Sequence, residues 1–162
     1  MDLLLKNNMY TFSLCHDAAL IKDTVLQPHN IPFQFDDSHS PSDYEVIFDP
    51  KILYIKVERN HRYQGLFLII YKDYSLAEAH LAVMPCAFGR VAEMGKECLN
   101  WVWANTYINH LICPVLADNG LALNCVKKMG FTPYSRQKDK WVRDGTSHDY
   151  IWLKIDRTTD AL

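Results

Sequence analysis

One stretch limits the possible folds more than any other: residues 80–131, HLAVMPCAFGRVAEMGKECLNWVWANTYINHLICPVLADNGLALNCVKKMGF. It begins with an alternating apolar run, Leu81 and Val83, ended by Pro85. A short loop with one glycine, Gly89, follows. Val91, Met94, Cys98 and Trp101 then recur at steps of three and four, which marks one buried face of a helix. A second apolar run covers residues 111–116, and Asp118 and Asn119 are helix-start residues. The helix they open is stopped by Gly130. Strand, tight loop, helix, strand, helix is an order that brings the unpaired amides of a helix N-terminus to a bound anion.

The flanking segments supply the rest of a mixed sheet. Tyr10, Phe12 and Leu14 alternate with Thr11 and Ser13 as a first strand. Asp17 caps a helix through Ala18, Ile21, Val25 and Leu26 that ends before Pro28. Residues 28–41 are loop, with three prolines, and Phe33 and Phe35 suit either a lid or docking surface or an ordinary anchored surface loop. Ser42-Asp43-Tyr44-Glu45 matches a capping box and predicts a short helix ending near Pro50. Residues 52–58 and a run opening at Gly65 form a hairpin, residues 75–84 form the next strand, and Asp144-Gly145 is a hairpin turn before a last strand with Tyr150, Trp152 and Leu153. The expected fold is α/β (α+β): about seven strands, mostly antiparallel, with about four helices on both faces. All 162 residues read as one domain.

Composition narrows the function classes. The 17 basic and 19 acidic residues form no long run of either sign, which argues against a nucleic-acid partner. No apolar stretch approaches the ~20 residues of a membrane span. The start, MDLLLKNNMY, has too short an apolar run for a signal peptide, so a cytoplasmic protein is expected. Five scattered cysteines read as reduced core residues, and the seven histidines have no metal-ligand spacing, so no metal site is expected.

The central stretch resembles the cofactor-binding core of the GNAT-type N-acetyltransferases. In that family a strand ends in V-x-P, here Val83-Met84-Pro85. A loop of form x-x-[RQ]-G-x-G-x-G then receives the coenzyme A pyrophosphate; here it is CAFGRVAE, residues 86–93. The family's N-x-x-A-x-x-x-Y-x-x-x-G-F is matched by Asn119, Ala122, Gly130 and Phe131. Four positions depart. Phe88 stands for Arg or Gln, Val91 and Glu93 for two glycines, and Val126 for the tyrosine that protonates the departing thiolate. In length and loop the chain is similar to degenerate family members encoded by tailed phages, some linked to head assembly or internal virion components. The resemblance implies acetyl-CoA as substrate and an amine acceptor on a small molecule or protein. Its phage branch implies instead a binding module among phage structural proteins, in host cytoplasm or virion.

Candidate residues follow. Backbone amides from Phe88, Gly89, Arg90, Val91 and Ala92 face a pyrophosphate, and Arg90 adds a charge-assisted contact. Glu93, in the first turn, opposes an anion by an amount comparable to the ~0.3–1 kcal/mol of a charge–dipole contact. Val83 and its neighbours hold the thioester arm through backbone bonds, and Asn119 either reaches across or caps its helix. Glu78 and His80, two apart on an otherwise apolar strand, share a side. They are either a general-base pair or an alternation that faces solvent or a neighbouring loop. With Val126 unable to donate a proton, Tyr134, Tyr107 and Cys125 are the candidate replacements.

Overall fold

Alternating hydrophobicity becomes a single seven-stranded sheet in the order β1-β2-β3-β4-β5-β7-β6. The structure, a computed structural model, describes residues 10–158. The strands are β1 (Tyr10–Leu14), β2 (Ile52–Arg59), β3 (Arg62–Tyr71), β4 (Leu76–Val83), β5 (His110–Leu116), β6 (Thr132–Arg143) and β7 (Thr146–Asp156). All neighbours pair antiparallel except β4 and β5, which run parallel. The four helices are α1 (Ala18–Val25), α2 (Ile31–Gln34), α3 (Val91–Asn105) and α4 (Gly120–Lys128). This is the mixed, mostly antiparallel architecture the sequence predicts. The amino-terminal segment read above, apart from Tyr10, lies outside the described residues.

Strand alternation sorts the two faces. Ile55, Val57, Phe67, Ile69, Ala77 and Ala79 pack with Met94, Cys98 and Val102 of α3 in the larger core. Tyr54 and Leu66 turn the other way and pack with Cys15 and with Ile21 of α1. Side chains of Glu78 and His80 belong to this second face, because they pair with Ile70 and Leu68 in register. Asp17 caps α1 through Leu20 N at 3.0 Å, as its position predicts. All five cysteines are free thiols.

Three local expectations change. The Ser42–Glu45 box opens no helix: Pro41–Asp43 makes one 3-10 turn and the chain is extended from Tyr44. A cap stabilises by only about 1 kcal/mol, whereas isolated short helices are costly to nucleate. Tertiary anchors win: the Tyr44 ring meets Phe35 at 5.8 Å, Phe48 meets Tyr54 at 5.8 Å, and the Tyr54 hydroxyl donates to Ile47 O at 2.9 Å. The first hairpin is also tighter than expected. Its turn is Asn60-His61, with φ of 50° and 65°, the mirror-image turn that matches strand twist. Gly65 therefore sits inside β3. A Cβ there would lie 2.5 Å from Ala82 O, so glycine lets β3 press against β4. Finally, residues 31–34 form a short helix within the expected loop.

Candidate functional site

The parallel strands part where the chain reaches its central loop. β4 and β5 face each other in register only at Leu76–His110, Ala77–Leu111 and Glu78–Ile112. Beyond Glu78, β4 continues against β3 as far as Val83–Gly65, and β5 continues against β7 as far as Leu116–Tyr150. A gap opens between the two half-sheets, and both strands deliver a helix at its wide end. Met84 N donates back to Gln64 O on β3. Alternate residues of an antiparallel pair point their polar groups to opposite sides, so Leu81 and Val83 turn theirs to the gap.

At the end of β4, Pro85–Ala87 makes a 3-10 turn and α3 begins. Arg90 is its N-cap and offers no side-chain cap. The amides of Val91, Ala92 and Glu93 find no acceptor among the described residues. Gly89, just before the helix, has φ of 84°, and a Cβ there would meet nothing within 4 Å, so open space lies beside it. Arg90 Nη2 donates to Cys86 O at 3.1 Å, and Glu93 Oε2 accepts from the Tyr10 hydroxyl at 3.1 Å. Phe88 is 54 % exposed and sets its ring edge-on against His29 at 4.9 Å. Of the residues expected to offer amides to a pyrophosphate, Phe88 N and Arg90 N are instead taken by Pro85 O at 3.1 Å and Ala87 O at 3.0 Å, which leaves Val91 and Ala92 at the uncapped mouth. Asn119 is at the start of the other helix, α4, where its Oδ1 accepts from Ala122 N at 3.2 Å.

The segment 27–37 straps the gap. At one end His29 Nε2 donates to Val83 O at 2.6 Å, Asn30 Nδ2 donates to the same carbonyl at 3.2 Å, and Gln34 Nε2 donates to Leu81 O at 3.4 Å. At the other end Asp37 N donates to Val142 O, and the Asp37 carboxylate accepts from Asp144 N at 2.8 Å and Gly145 N at 2.9 Å. Arg143 Nη1 donates to Pro32 O at 2.8 Å and its guanidinium lies 5.6 Å from the centre of the Phe33 ring. Within residues 28–41, the part up to Asp37 thus crosses the gap, and Phe35 is anchored against Tyr44 at 5.8 Å. The backbone carbonyl of Val83, named as a holder of the thioester arm, is already occupied by the chain's own side chains.

Beneath the strap, Glu78 and His80 meet. His80 Nε2 and Glu78 Oε1 are 2.6 Å apart, and Lys72 Nζ is 3.0 Å from Glu78 Oε2. Burial pushes the Glu78 carboxyl up, but the hydrogen bond and charge of His80, followed by those of Lys72, hold it below its ordinary value. An ionised carboxylate only accepts, so His80 Nε2 is the donor, and in the neutral form of the ring the lone pair is on Nδ1. His80 also borders a small cavity of about 20 Å³ with Gln34, Tyr54 and Leu81.

Across the gap, Trp141, Tyr150 and Trp152 form an aromatic row with centroid distances of 6.0 and 6.3 Å. Burial, with the charges of Asp36 and Glu78 adding to it, pushes the Tyr150 hydroxyl up to about 12. Burial and then the Glu78 charge also raise Tyr134. Both phenols therefore stay protonated at neutral pH and feel the same carboxylate. Among the replacements named from sequence, Tyr107 is 87 % exposed beyond α3, while Cys125 is half-buried on α4 with a thiol that burial raises. Sequence reasoning missed Tyr150, His29, Asn30 and Gln34. The three residues His29, Asn30 and Gln34 lie in a segment without periodicity, and Tyr150 reads as an ordinary strand aromatic.

No protein-family model and no curated protein sequence matches the chain. Solved structures do. Spermidine N-acetyltransferase from Vibrio cholerae, in complex with CoA and spermine, superposes with a TM-score of 0.77 at 16% identity, over 91% of this chain and 95% of that one. A putative phosphinothricin N-acetyltransferase gives 0.65 at 15% identity, over 92% and 99%. The Campylobacter jejuni N-acetyltransferase PseH, in complex with acetyl coenzyme A, gives 0.56 at 19% identity, over 68% and 71%. The parted β4 and β5, the helix mouth that follows β4 and these superpositions lead to one conclusion: the chain has the GNAT fold.

Proposed function

We propose that the protein transfers an acyl group, acetyl first, from a coenzyme A thioester to a primary amine. The observation that carries this reading is the pairing of a parted β4/β5 gap with an uncapped α3 mouth beside Arg90. Three free amides and a guanidinium suit a pyrophosphate. The gap suits an extended thioester arm. Solved structures of this fold hold CoA with spermine, and acetyl coenzyme A, which supports the same donor and an amine acceptor here.

The chemistry needs few groups. The acceptor nitrogen attacks the thioester carbonyl carbon. His80 Nδ1 takes the ammonium or N–H proton, with Glu78 fixing the ring and stabilising the imidazolium. The C–S bond breaks and the thiolate leaves, taking a proton from Tyr150 or Tyr134 in place of Val126. The acceptor enters on the strap face, between His80 and the Trp141–Tyr150–Trp152 row. Aromatic faces beside the carboxylates Glu78 and Asp36 suit a cationic amine.

A second reading is favoured by Val126 and by the occupied Val83 carbonyl: a non-catalytic binding or assembly module, of the kind some tailed phages encode. Calorimetric titration with acetyl-CoA, followed by an assay for free thiol in the presence of amines, separates the two. Saturable binding with amine-dependent thiol release is the expected result. No heat at millimolar ligand overturns the transferase reading in favour of the module.

A further inference from the structure

We infer that the strap is a self-supplied occupant of the donor groove, and that the acyl donor binds by taking Leu81 O and Val83 O away from it. This inference rests on the transferase reading and names how its site is regulated. The two carbonyls lie on the gap side of β4 past its last pairing with β5, where an incoming arm would find its acceptors. Instead they are filled by the side chains of His29, Asn30 and Gln34.

His29 is the central piece. The same imidazole that donates to Val83 O packs against Phe88, the first residue of the loop at the α3 mouth. A ligand that threads from the helix mouth into the gap must therefore pass His29 at both points. Phe88 thus has a physical role where the family has Arg or Gln: it holds the strap down.

The two ends of the strap are built differently. On the β4 side its bonds are made by side chains, and those of His29 and Gln34 can rotate away without moving the backbone. Asn30 is buried and also donates to Thr24 O at 2.8 Å, so it is the pivot of this end. On the hairpin side Asp37 is tied by its backbone amide and by both carboxylate oxygens. Release from β4 with retention at Asp37 is the motion this arrangement permits. Donor binding then opens the strap over His80, so the acceptor site becomes accessible when the donor is in place.

The test uses the full chain with coenzyme A as the probe. Dissociation constants are measured for wild type, His29→Ala and Gln34→Ala, with thermal melts to establish that each variant is folded. Hydrogen exchange is followed by mass spectrometry with and without coenzyme A. Removing one competing hydrogen bond should tighten coenzyme A binding about 3- to 10-fold in His29→Ala and less in Gln34→Ala. In wild type, coenzyme A should speed exchange in residues 28–35 and slow it in residues 81–92. Unchanged or weaker binding in both variants, or a strap that exchanges more slowly with ligand, overturns the inference while leaving the transferase reading intact. Absence of binding by wild type and both variants at millimolar coenzyme A overturns both.

Discussion

His80 Nε2 lies 2.6 Å from Glu78 Oε1, two residues away on the same face of β4. The bond sets the tautomer of the neutral imidazole, with the lone pair on Nδ1. Glu78 is in turn held by Lys72 at 3.0 Å, so the pair is oriented from both sides. Glu78 is 13 % exposed and His80 30 %.

Replacing the base should cost rate, not fold. His80→Ala should lower kcat by about 10²- to 10⁴-fold, the usual range for general acid–base assistance. Glu78→Gln should lower it less, because an amide oxygen still accepts from Nε2 while the negative charge is lost. Steady-state kinetics beside a thermal melt checks both. Full activity in both variants would mean that the base lies elsewhere.

Glu78 also links stability to pH. Its folded pKa lies below the ordinary 4.5, so its contribution is fully present above that value and is lost as pH falls through the folded value. Asp36, Asp73 and Asp149 are also lowered and share the acid limb. Glu78→Gln should therefore flatten, but not abolish, the fall in melting temperature below about pH 4.5. Melting curves from pH 3 to 7, spanning the ~1-unit scatter of carboxylate pKa values, measure it.

Tyr150 and Tyr134 are distinguishable as proton donors. Burial and two carboxylates hold Tyr150 protonated, at about 12. A hydrogen bond to a charged leaving group contributes about 1.5–3 kcal/mol, so Tyr150→Phe should lower kcat about 10- to 100-fold with KM for the donor little changed. Tyr134, 48 % exposed, should matter less. Equal kcat values for both phenylalanine variants and wild type would assign thiolate protonation to solvent.

Charge at the α3 mouth should tune donor affinity. Arg90→Glu should weaken coenzyme A binding and Glu93→Gly should strengthen it, each by about 2- to 5-fold, given dipole and surface-charge effects of ~0.3–1 kcal/mol. The Glu93 change also frees the Tyr10 hydroxyl, a bond at 3.1 Å that the calorimetric control must include.

Gly65 tests how tightly β3 holds β4. In Gly65→Ala the new Cβ would face Ala82 O at 2.5 Å and Val83 Cα at 2.8 Å, both backbone atoms, at φ of 147°. Backbone cannot rotate aside as a side chain can. A loss of about 2–4 kcal/mol is expected by denaturant unfolding, from overpacking plus a disfavoured dihedral. The gap-side carbonyls of β4 should shift with it.

Much of the fold is written locally. Period-two and period-four apolar spacing set β4, α3, β5 and α4 in order, and the Asp17 and Asn119 caps and the Asp144-Gly145 turn act through neighbours in sequence. The Glu78–His80 pair is legible for the same reason: strand geometry alone puts positions two apart on one side. The capping box at Ser42 failed because aromatic contacts outside it, Tyr44 with Phe35 and Phe48 with Tyr54, outweigh a cap.

Tertiary structure alone decided what surrounds those residues. Where β4 leaves β5 depends on a pairing between strands 34 positions apart, as in Leu76–His110. His29 finds Val83 across 54 positions and Asp37 finds Gly145 across 108. Such bonds carry no spacing rule, because their donors are ordinary polar side chains in an aperiodic loop. Local chemistry thus determined the helix mouth and the Glu78–His80 pair; long-range closure determined that a strap of the chain's own residues lies in the gap between them.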